Sequence, residues 1–453
     1  MRSAFSLAQS ATFSLVFVVG LVMVPSLFGE DVQPQWPQWR GERQNGFAGD
    51  DAFPKQWNES DDGQSTSGVR WKITLPGRGG STPVVSGSLA FLTAGIGSDT
   101  DQQVFGDNTL MAIRVPDGEV AWTVKLGSDR SNKHKKGSGS NPSPVTDGKH
   151  VFAYFRSGDL ACVDTEGNVV WHTNLQEEYG EDTLWWDLGT SPLLTENAVI
   201  VAVMQTGPSY LVAYDKKSGE RLWKVDRNLD APEEAAQSYQ TPLNVTVDGR
   251  DAIAVMGADH LTIHDASDGR ELGRLGGFNP TQHQYFRSIA SPVAKGNIIV
   301  CPYARGDTTT AVHMDQLIAG KGKDAIAWFR EGLGSDVPTP AEHEGRVYIV
   351  GDGKTARGVI TCVDLETGKT IWETQLPKSR ISFSSSPMVA GNHLYVTNEQ
   401  AVTYVIGPLD ASEPGVVATN KLSDEEPYTV SSLVPVEGGF LLRTRHSLYA
   451  LGE

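Results

Sequence analysis

Short apolar runs alternate with polar turns along most of the chain. Residues 211–223 and 360–372 show the unit clearly: an apolar run, an Asp-x-x-Ser/Thr-Gly stretch, and a second run that ends in tryptophan. Alternation within each run is typical of a half-buried strand. The glycine suits a hairpin turn because it adopts positive φ without strain. The pattern therefore predicts β-hairpins rather than helices.

A second recurring feature, a Ser/Thr-Pro or Val-Pro step, opens each unit. By subtraction, successive steps lie 61, 48, 50, 50, 48, 47 and 48 residues apart. A unit of this length holds four short strands with their turns, which is one blade of a β-propeller. The steps end at Pro83, Pro144, Pro192, Pro242, Pro292, Pro340, Pro387 and Pro435.

The two ends of the repeat region predict how the ring closes. The stretch around Trp71, residues 69–75, has the pattern of an outer strand but follows no inner strands. The last unit, residues 434–451, has inner strands but no outer one. Pairing the two completes an eighth blade and leaves no exposed sheet edge at the junction. We therefore predict an all-β fold: an eight-bladed β-propeller of four-stranded antiparallel blades, closed by an N-terminal strand. Tryptophans on the other outer strands are expected to be structural: Trp122, Trp171, Trp223, Trp328 and Trp372.

Composition supports a repeat fold, and the net charge limits the classes of partner that the protein can bind. The chain has 453 residues, 48 of them glycine and 24 proline, which suits many short strands joined by turns. A formal net charge of −17 argues against nucleic acid, because phosphate binding needs Lys and Arg. We expect a monomer that contacts a protein or a cell-envelope polymer.

The N-terminus has the order of a secretory signal. Arg2 precedes an apolar run from residue 13 to 23, and the small residues Ser26 and Gly29 follow. No cysteine lies near this region, so no lipid anchor is expected after cleavage. The predicted organisation is a signal peptide over 1–29, an extended segment over 30–67 and the propeller over 68–453, exported to the periplasm or beyond. We also expect that deleting residues 31–65 costs much less stability than deleting residues 69–75.

The Ala-x-Asp-x-x-Thr-Gly-x-x-x-Trp phrase resembles the signature of the quinoprotein-like, or PQQ-repeat, propellers, over roughly residues 68–453. That family contains PQQ-dependent alcohol dehydrogenases and non-catalytic propellers typified by the outer-membrane protein assembly factor BamB. The resemblance implies the fold, and it leaves both kinds of function open because one scaffold hosts many activities.

The residues favour the non-catalytic branch. Dehydrogenases of the family carry adjacent cysteines against the quinone and Glu, Asn and Asp ligands for calcium. Here the cysteines are Cys162, Cys301 and Cys362, which are widely separated. No catalytic residue, metal site or cofactor is predicted. PQQ with calcium stays open as an alternative, because ligands could come from distant blades.

Basic and aromatic residues gather in the loops that precede the Pro steps. Propeller geometry places these loops on one face, so the residues are expected to form a binding rim. The interpretation weighed against it is solvated loops with incidental charges. The candidate rim consists of Arg78, Lys133, His134, Lys135, Lys136, Trp185, Trp186, Tyr239, Gln240, Arg287, Arg380 and Tyr428.

The sequence thus predicts an exported, non-enzymatic binding scaffold. Two alternatives are kept: a PQQ-dependent alcohol or sugar dehydrogenase, and a carbohydrate-binding propeller. The rim is expected to attract an extended or anionic partner, with an affinity that falls as salt screens the charges. Replacing Lys133, Lys135, Lys136 and Arg287 with Ser is expected to weaken binding without changing the melting temperature.

Overall fold

The chain folds into eight antiparallel blades. The computed structural model describes residues 1, 36–60, 66–97, 106–128, 134, 136–353, 356–424 and 426–452. The predicted signal peptide, Lys133 and Lys135 lie outside these residues. Each blade has four strands, named first to fourth from the central axis outwards, and the predicted eight-bladed propeller is confirmed.

The first four blades follow one another along the chain. Blade 1 consists of Val84–Ser86, Leu89–Ile96, Asp107–Arg114 and Val120–Ser128. Blade 2 consists of Val145–Thr146, His150–Tyr154, Asp159–Asp164 and Val169–Asn174. Blade 3 consists of Leu193–Leu194, Ala198–Val203, Tyr210–Asp215 and Arg221–Asp226. Blade 4 consists of Leu243–Val247, Arg250–Gly257, His260–Asp265 and Glu271–Gly276.

The remaining blades complete the circle. Blade 5 consists of Val293–Lys295, Ile298–Tyr303, Thr308–His313 and Ile326–Glu331. Blade 6 consists of Ala341–His343, Arg346–Val350, Val359–Asp364 and Thr370–Gln375. Blade 7 consists of Met388–Ala390, His393–Thr397, Thr403–Gly407 and Gly415–Asn420. Blade 8 consists of Val434–Val436, Gly439–Arg443, Ser447–Gly452 and Val69–Thr74.

A few short elements lie between the blade strands. Gly77–Arg78 pairs with the end of the second strand of blade 1, and Asn58–Glu59 pairs with Thr66–Ser67. The helical segments are Leu175–Tyr179, Glu233–Ala236, Ala304–Gly306, Met314–Ile318 and Gly322–Ala325. Among the described residues, no helix has the length and apolar character needed to span a bilayer.

The ring closes as the sequence predicts. The strand Val69–Thr74 pairs antiparallel with Ser447–Gly452, and Trp71 faces Ala450 in the register. The N-terminal strand is therefore the fourth strand of blade 8, whose other three strands come from the C-terminus.

The outer tryptophans join neighbouring blades, as expected for structural residues. The indole nitrogen of Trp171 donates to the carbonyl of Lys216 in the next blade at 2.9 Å, and its ring lies against Gly219. Trp71, Trp122 and Trp328 make the same kind of bond to the blade that follows. Glycine is required at these turns, because its φ is positive and a Cβ would meet the indole ring.

A ring of hydroxyls surrounds the central axis where the first strands begin. In each blade one Ser or Thr oxygen accepts a hydrogen bond from the backbone N–H of the ring residue in the preceding blade, at 2.8–3.1 Å. Seven members directly precede a Pro of the sequence steps. In blade 8 the member is Ser432, whereas Pro435 lies inside the first strand. This hydroxyl ring consists of Thr82, Ser143, Ser191, Thr241, Ser291, Thr339, Ser386 and Ser432.

Residues 36–49 form a plug that crosses the ring beyond the hydroxyl ring. Trp36 exchanges two backbone hydrogen bonds with Val85 in blade 1, and the carbonyl of Asn45 accepts the N–H of Glu342 in blade 6. The first strands would otherwise leave these groups unpaired at the axis.

The guanidinium of Arg40 holds the plug in place. Its side chain is buried, and it donates to the carbonyls of Pro387 at 2.7 Å and Pro340 at 2.6 Å. Further along the same segment, Trp57 is fully buried. The described part of residues 31–65 therefore pairs with the first strands and contributes to the closed ring. That its deletion costs much less stability than deletion of residues 69–75 stays a prediction.

Candidate functional site

A central cavity opens toward the loops that precede the first strands. Its volume is about 770 Å³, within the range of small-molecule sites. Seven of the eight hydroxyl-ring residues line it. Trp39 of the plug also lines it, and the plug pairs with positions three residues beyond the ring members, such as Val85 and Val389. The cavity is therefore open at the loop side and closed at the plug side.

Aromatic side chains form much of the wall. Trp186 is 39% exposed, yet its position is fixed: its backbone N–H donates to the Tyr239 hydroxyl at 3.2 Å and its indole nitrogen to Glu234 at 2.7 Å. The His134 ring packs edge-on against it with 5.2 Å between centroids. Phe383 and Tyr428 line the cavity as well. An exposed aromatic ring held in one orientation is typical of a binding surface.

Two basic groups at the mouth, those of Lys136 and Arg287, meet acidic partners. Lys136 Nζ lies 2.7 and 2.8 Å from the carboxylate oxygens of Glu399. Arg287 donates to Asp336 at 2.8 and 3.1 Å, and its Nε is 3.5 Å from Glu234. Apart from His134, the described lining has four basic side chains (Lys136, Arg287, Arg305, Arg357) and four acidic ones (Asp187, Asp336, Asp352, Glu399). The described lining therefore carries no excess of positive charge. The wider basic rim, which also includes Arg78, Lys133, Lys135 and Arg380, stays a prediction.

Asp352 is a lining carboxyl whose pKa lies above its ordinary value. Burial and the nearby charge of Asp336 raise its pKa to about 6, although the N–H groups of Asp336 and Val337 donate to it at 2.8 and 2.9 Å and oppose the rise. The carboxyl ties the loop before blade 6 to the second strand of that blade. Each of its two carboxyl oxygens accepts a backbone N–H of that loop, so the carboxyl has a structural role.

The structure brings together six of the predicted rim residues. Lining the cavity are His134, Lys136, Trp186, Tyr239, Arg287 and Tyr428. Arg78 lies at a small adjoining niche with Lys136 and Tyr428, and is 3.8 Å from Glu426. Trp185 is 43% exposed but does not line the cavity, and Arg380 is exposed outside it.

Three of these residues differ from the predicted solvent-exposed rim. Tyr239 is buried and its hydroxyl donates to Gln237 at 2.9 Å. Gln240 is 1% exposed, because alternation along the chain turns it away from the cavity that Tyr239 and Thr241 line. The Arg287 side chain is 12% exposed and ion-paired, so replacing it is expected to lower stability, contrary to the sequence-based prediction of unchanged melting.

The residues do not fit the metal and cysteine arrangement that the family resemblance implies for a dehydrogenase. Cys162, Cys301 and Cys362 are buried in blades 2, 5 and 6, and burial raises the pKa of Cys162 and of Cys362 to about 12. Within the described ranges, no group of three or more His, Cys, Asp and Glu side chains is placed to hold a metal ion.

Comparison with known proteins places the chain in a family. The family described as outer membrane protein assembly factor BamB matches residues 63–207, 186–315 and 315–414. The chain belongs to this BamB family. No curated protein matches it in sequence.

Solved structures share the fold of this BamB-family chain at low identity. BamB from Moraxella catarrhalis is 13% identical with a TM-score of 0.58, covering 84% of this chain and 99% of that one. A europium-containing methanol dehydrogenase is 11% identical with a TM-score of 0.62, covering 89% and 87%. The quinohemoprotein alcohol dehydrogenase ADHIIG from Pseudomonas putida HK5 is 11% identical with a TM-score of 0.62, covering 93% and 80%. These likenesses support the propeller fold and leave the function open.

Several lining residues escaped the sequence analysis. The acidic partners Glu399, Asp187 and Asp336 lie far along the chain from the basic residues they meet, so no local pattern relates them. Trp39 lies before the repeats. A Ser or Thr directly precedes seven of the eight Pro steps, and this recurrence is the sequence signal that could have indicated a shared structural position.

Proposed function

We propose that this BamB-family protein is an exported, non-enzymatic binding protein that receives a protein, peptide or cell-envelope polymer at the open end of the central cavity. The observation that carries the proposal is the fixed, half-exposed Trp186 at the mouth of a cavity closed on its other side by the plug. A partner gains contact area there without ordering the protein first.

The state of the charged groups favours binding over catalysis. A general acid or base needs a proton-transfer atom that faces the reactant. Glu399 is held by Lys136 and by the Ser384 hydroxyl, and Asp352 accepts two backbone N–H groups. Because both carboxyl groups already have protein partners, we assign them the role of positioning the loops at the mouth.

Export is part of the proposal. It rests on the charged, apolar and small-residue order of residues 2–29 and on membership of the BamB family. The periplasm or the cell exterior is where such a protein would meet an envelope polymer.

Site-specific photo-cross-linking tests the proposal. A photoreactive phenylalanine at position 186 is expected to capture a discrete partner in the native envelope. The same group at Phe329, which is 56% exposed on the fourth strand of blade 5, is the matched control and is expected not to capture it. Capture at position 329 alone, or equal unspecific labelling at both positions, would contradict the proposal.

A cofactor assay tests the alternative. The purified protein incubated with PQQ and calcium is expected to show neither a bound quinone absorbance nor dye-linked alcohol oxidation. Stoichiometric quinone binding with turnover of an alcohol would establish the dehydrogenase alternative instead.

A further inference from the structure

The hydroxyl ring presents unused hydrogen-bond donors to the cavity. Each ring oxygen accepts a backbone N–H of the neighbouring blade. Among the described residues, seven of the eight hydroxyls have no acceptor for their own proton within hydrogen-bonding range, and the eighth, Thr82, has the Ser431 hydroxyl at 3.5 Å. Seven of them line the cavity. A group bound at this depth therefore meets a circle of O–H donors, which favours a ligand rich in oxygen acceptors.

The plug adds an aromatic surface at the closed end. Trp39 lines the cavity, and the guanidinium carbon of Arg40 lies 5.6 Å from the centroid of its ring. Its neighbour Arg40 is anchored to the carbonyls of Pro340 and Pro387, which directly follow ring members Thr339 and Ser386. Trp39 is thus held close to the hydroxyl ring by a buried side chain next to it in sequence.

The equal number of basic and acidic side chains in the lining favours an uncharged ligand. Apart from His134, four basic and four acidic side chains line the described cavity. Lys136 forms an ion pair with Glu399, and Arg287 forms one with Asp336. An anionic group would have to compete with these carboxylates for the same cations. A neutral ligand meets no such competition.

We infer that the cavity binds the terminal, uncharged sugar unit of a glycan, with Trp39 as a binding residue at its closed end. A sugar ring combines apolar C–H faces, which pack on aromatic rings, with oxygens at its edge, which accept from the hydroxyl ring. Because the plug closes the far end, a chain cannot thread through, and only its end fits. This inference rests on the proposed function, since it names the group that the same cavity receives.

Calorimetric titration with defined probes tests the inference. Neutral trisaccharides of glucose and of N-acetylglucosamine are expected to bind at millimolar concentration or below, and trigalacturonate and a neutral tripeptide are expected not to. Replacing Trp39→Leu is expected to weaken trisaccharide binding about tenfold, the size of a lost aromatic stacking contact. Trp185→Leu is the control, because Trp185 is exposed outside the cavity.

Each outcome decides the inference. Absence of binding by all neutral sugars, stronger binding of the acidic sugar or the peptide, or equal affinity in Trp39→Leu would overturn it. Should Trp39→Leu fold poorly, Trp39→Phe keeps a flat ring, and ligand-induced fluorescence change at the wild-type tryptophans supplies the second measurement. Cross-linking at position 186 without sugar binding refutes only the sugar assignment. Sugar binding without a cross-linked partner refutes only the scaffold function.

Discussion

At the scale of single residues, the described cavity shows how burial is matched by specific partners. Glu234 is 2% exposed and has contacts with Trp186, Arg287 and Arg305, so one buried carboxylate orients three side chains of the mouth. Asp352 is different, because its partners are backbone N–H groups and its pKa rises despite them. Its protonation is therefore linked to folding.

The replacement Asp352→Asn tests this linkage. The folded pKa of about 6 lies above the ordinary value of 3.8. Protonation therefore favours the folded state: the contribution is fully present below pH 3.8 and is lost as the pH rises through 6. Its size is at most about 3 kcal/mol, from ~1.4 kcal/mol per pKa unit. In urea unfolding, the wild-type unfolding free energy is expected to fall between pH 4 and 7, and that of Asp352→Asn is expected to lack this part of the fall. The same pH dependence in both proteins would contradict a pKa of about 6 for Asp352.

At the scale of elements, the contact between an outer tryptophan and a turn glycine joins adjacent blades. Gly219 has φ +73°, and a Cβ there would lie 2.7 Å from the Trp171 ring. Gly249 has φ +74°, but a Cβ there would meet nothing within 4 Å. The two glycines therefore share a left-handed backbone conformation and differ in what surrounds them.

This difference gives a matched pair of replacements. Gly249→Ala is expected to cost about 1 kcal/mol of unfolding free energy, the penalty for a left-handed backbone at a residue with a Cβ. Gly219→Ala is expected to cost about 1–3 kcal/mol more, because the methyl group overlaps the indole. Thermal and urea unfolding measure both. Equal losses in the two variants would show that the tryptophan contact does not hold the blades together.

At the scale of the whole molecule, the repeats were predictable and the closure of the channel was not. The position of Trp71 without preceding inner strands predicted the closing strand, because an outer strand needs a sheet to pair with. The eighth Pro step was misleading, since Ser432 and not the residue before Pro435 completes the hydroxyl ring. The plug has no periodicity, and its contacts reach blades hundreds of positions away, such as Arg40 to Pro387. Such pairing leaves no trace in local patterns.

Arg40 connects the plug to the start of the first strands of blades 6 and 7 through two side-chain hydrogen bonds. Its replacement Arg40→Met leaves the carbonyls of Pro340 and Pro387 without their donor, and is expected to lower the unfolding free energy by about 2–4 kcal/mol. Proteolysis within residues 36–60 is expected to accelerate. Arg380→Met, at an exposed position, is expected to change neither quantity. A variant Arg40→Met with wild-type melting and wild-type proteolysis would contradict the role of the plug.

The central claim is that a partner is received at the open end of the cavity. Hydrogen exchange of the unmodified protein, with and without the partner recovered by cross-linking and then purified, tests it most directly. The account predicts slower exchange in the loops around Lys136, Trp186 and Tyr239, and unchanged exchange in the fourth strands Val120–Ser128 and Ile326–Glu331. Slower exchange confined to those fourth strands, with unchanged loops, would contradict it.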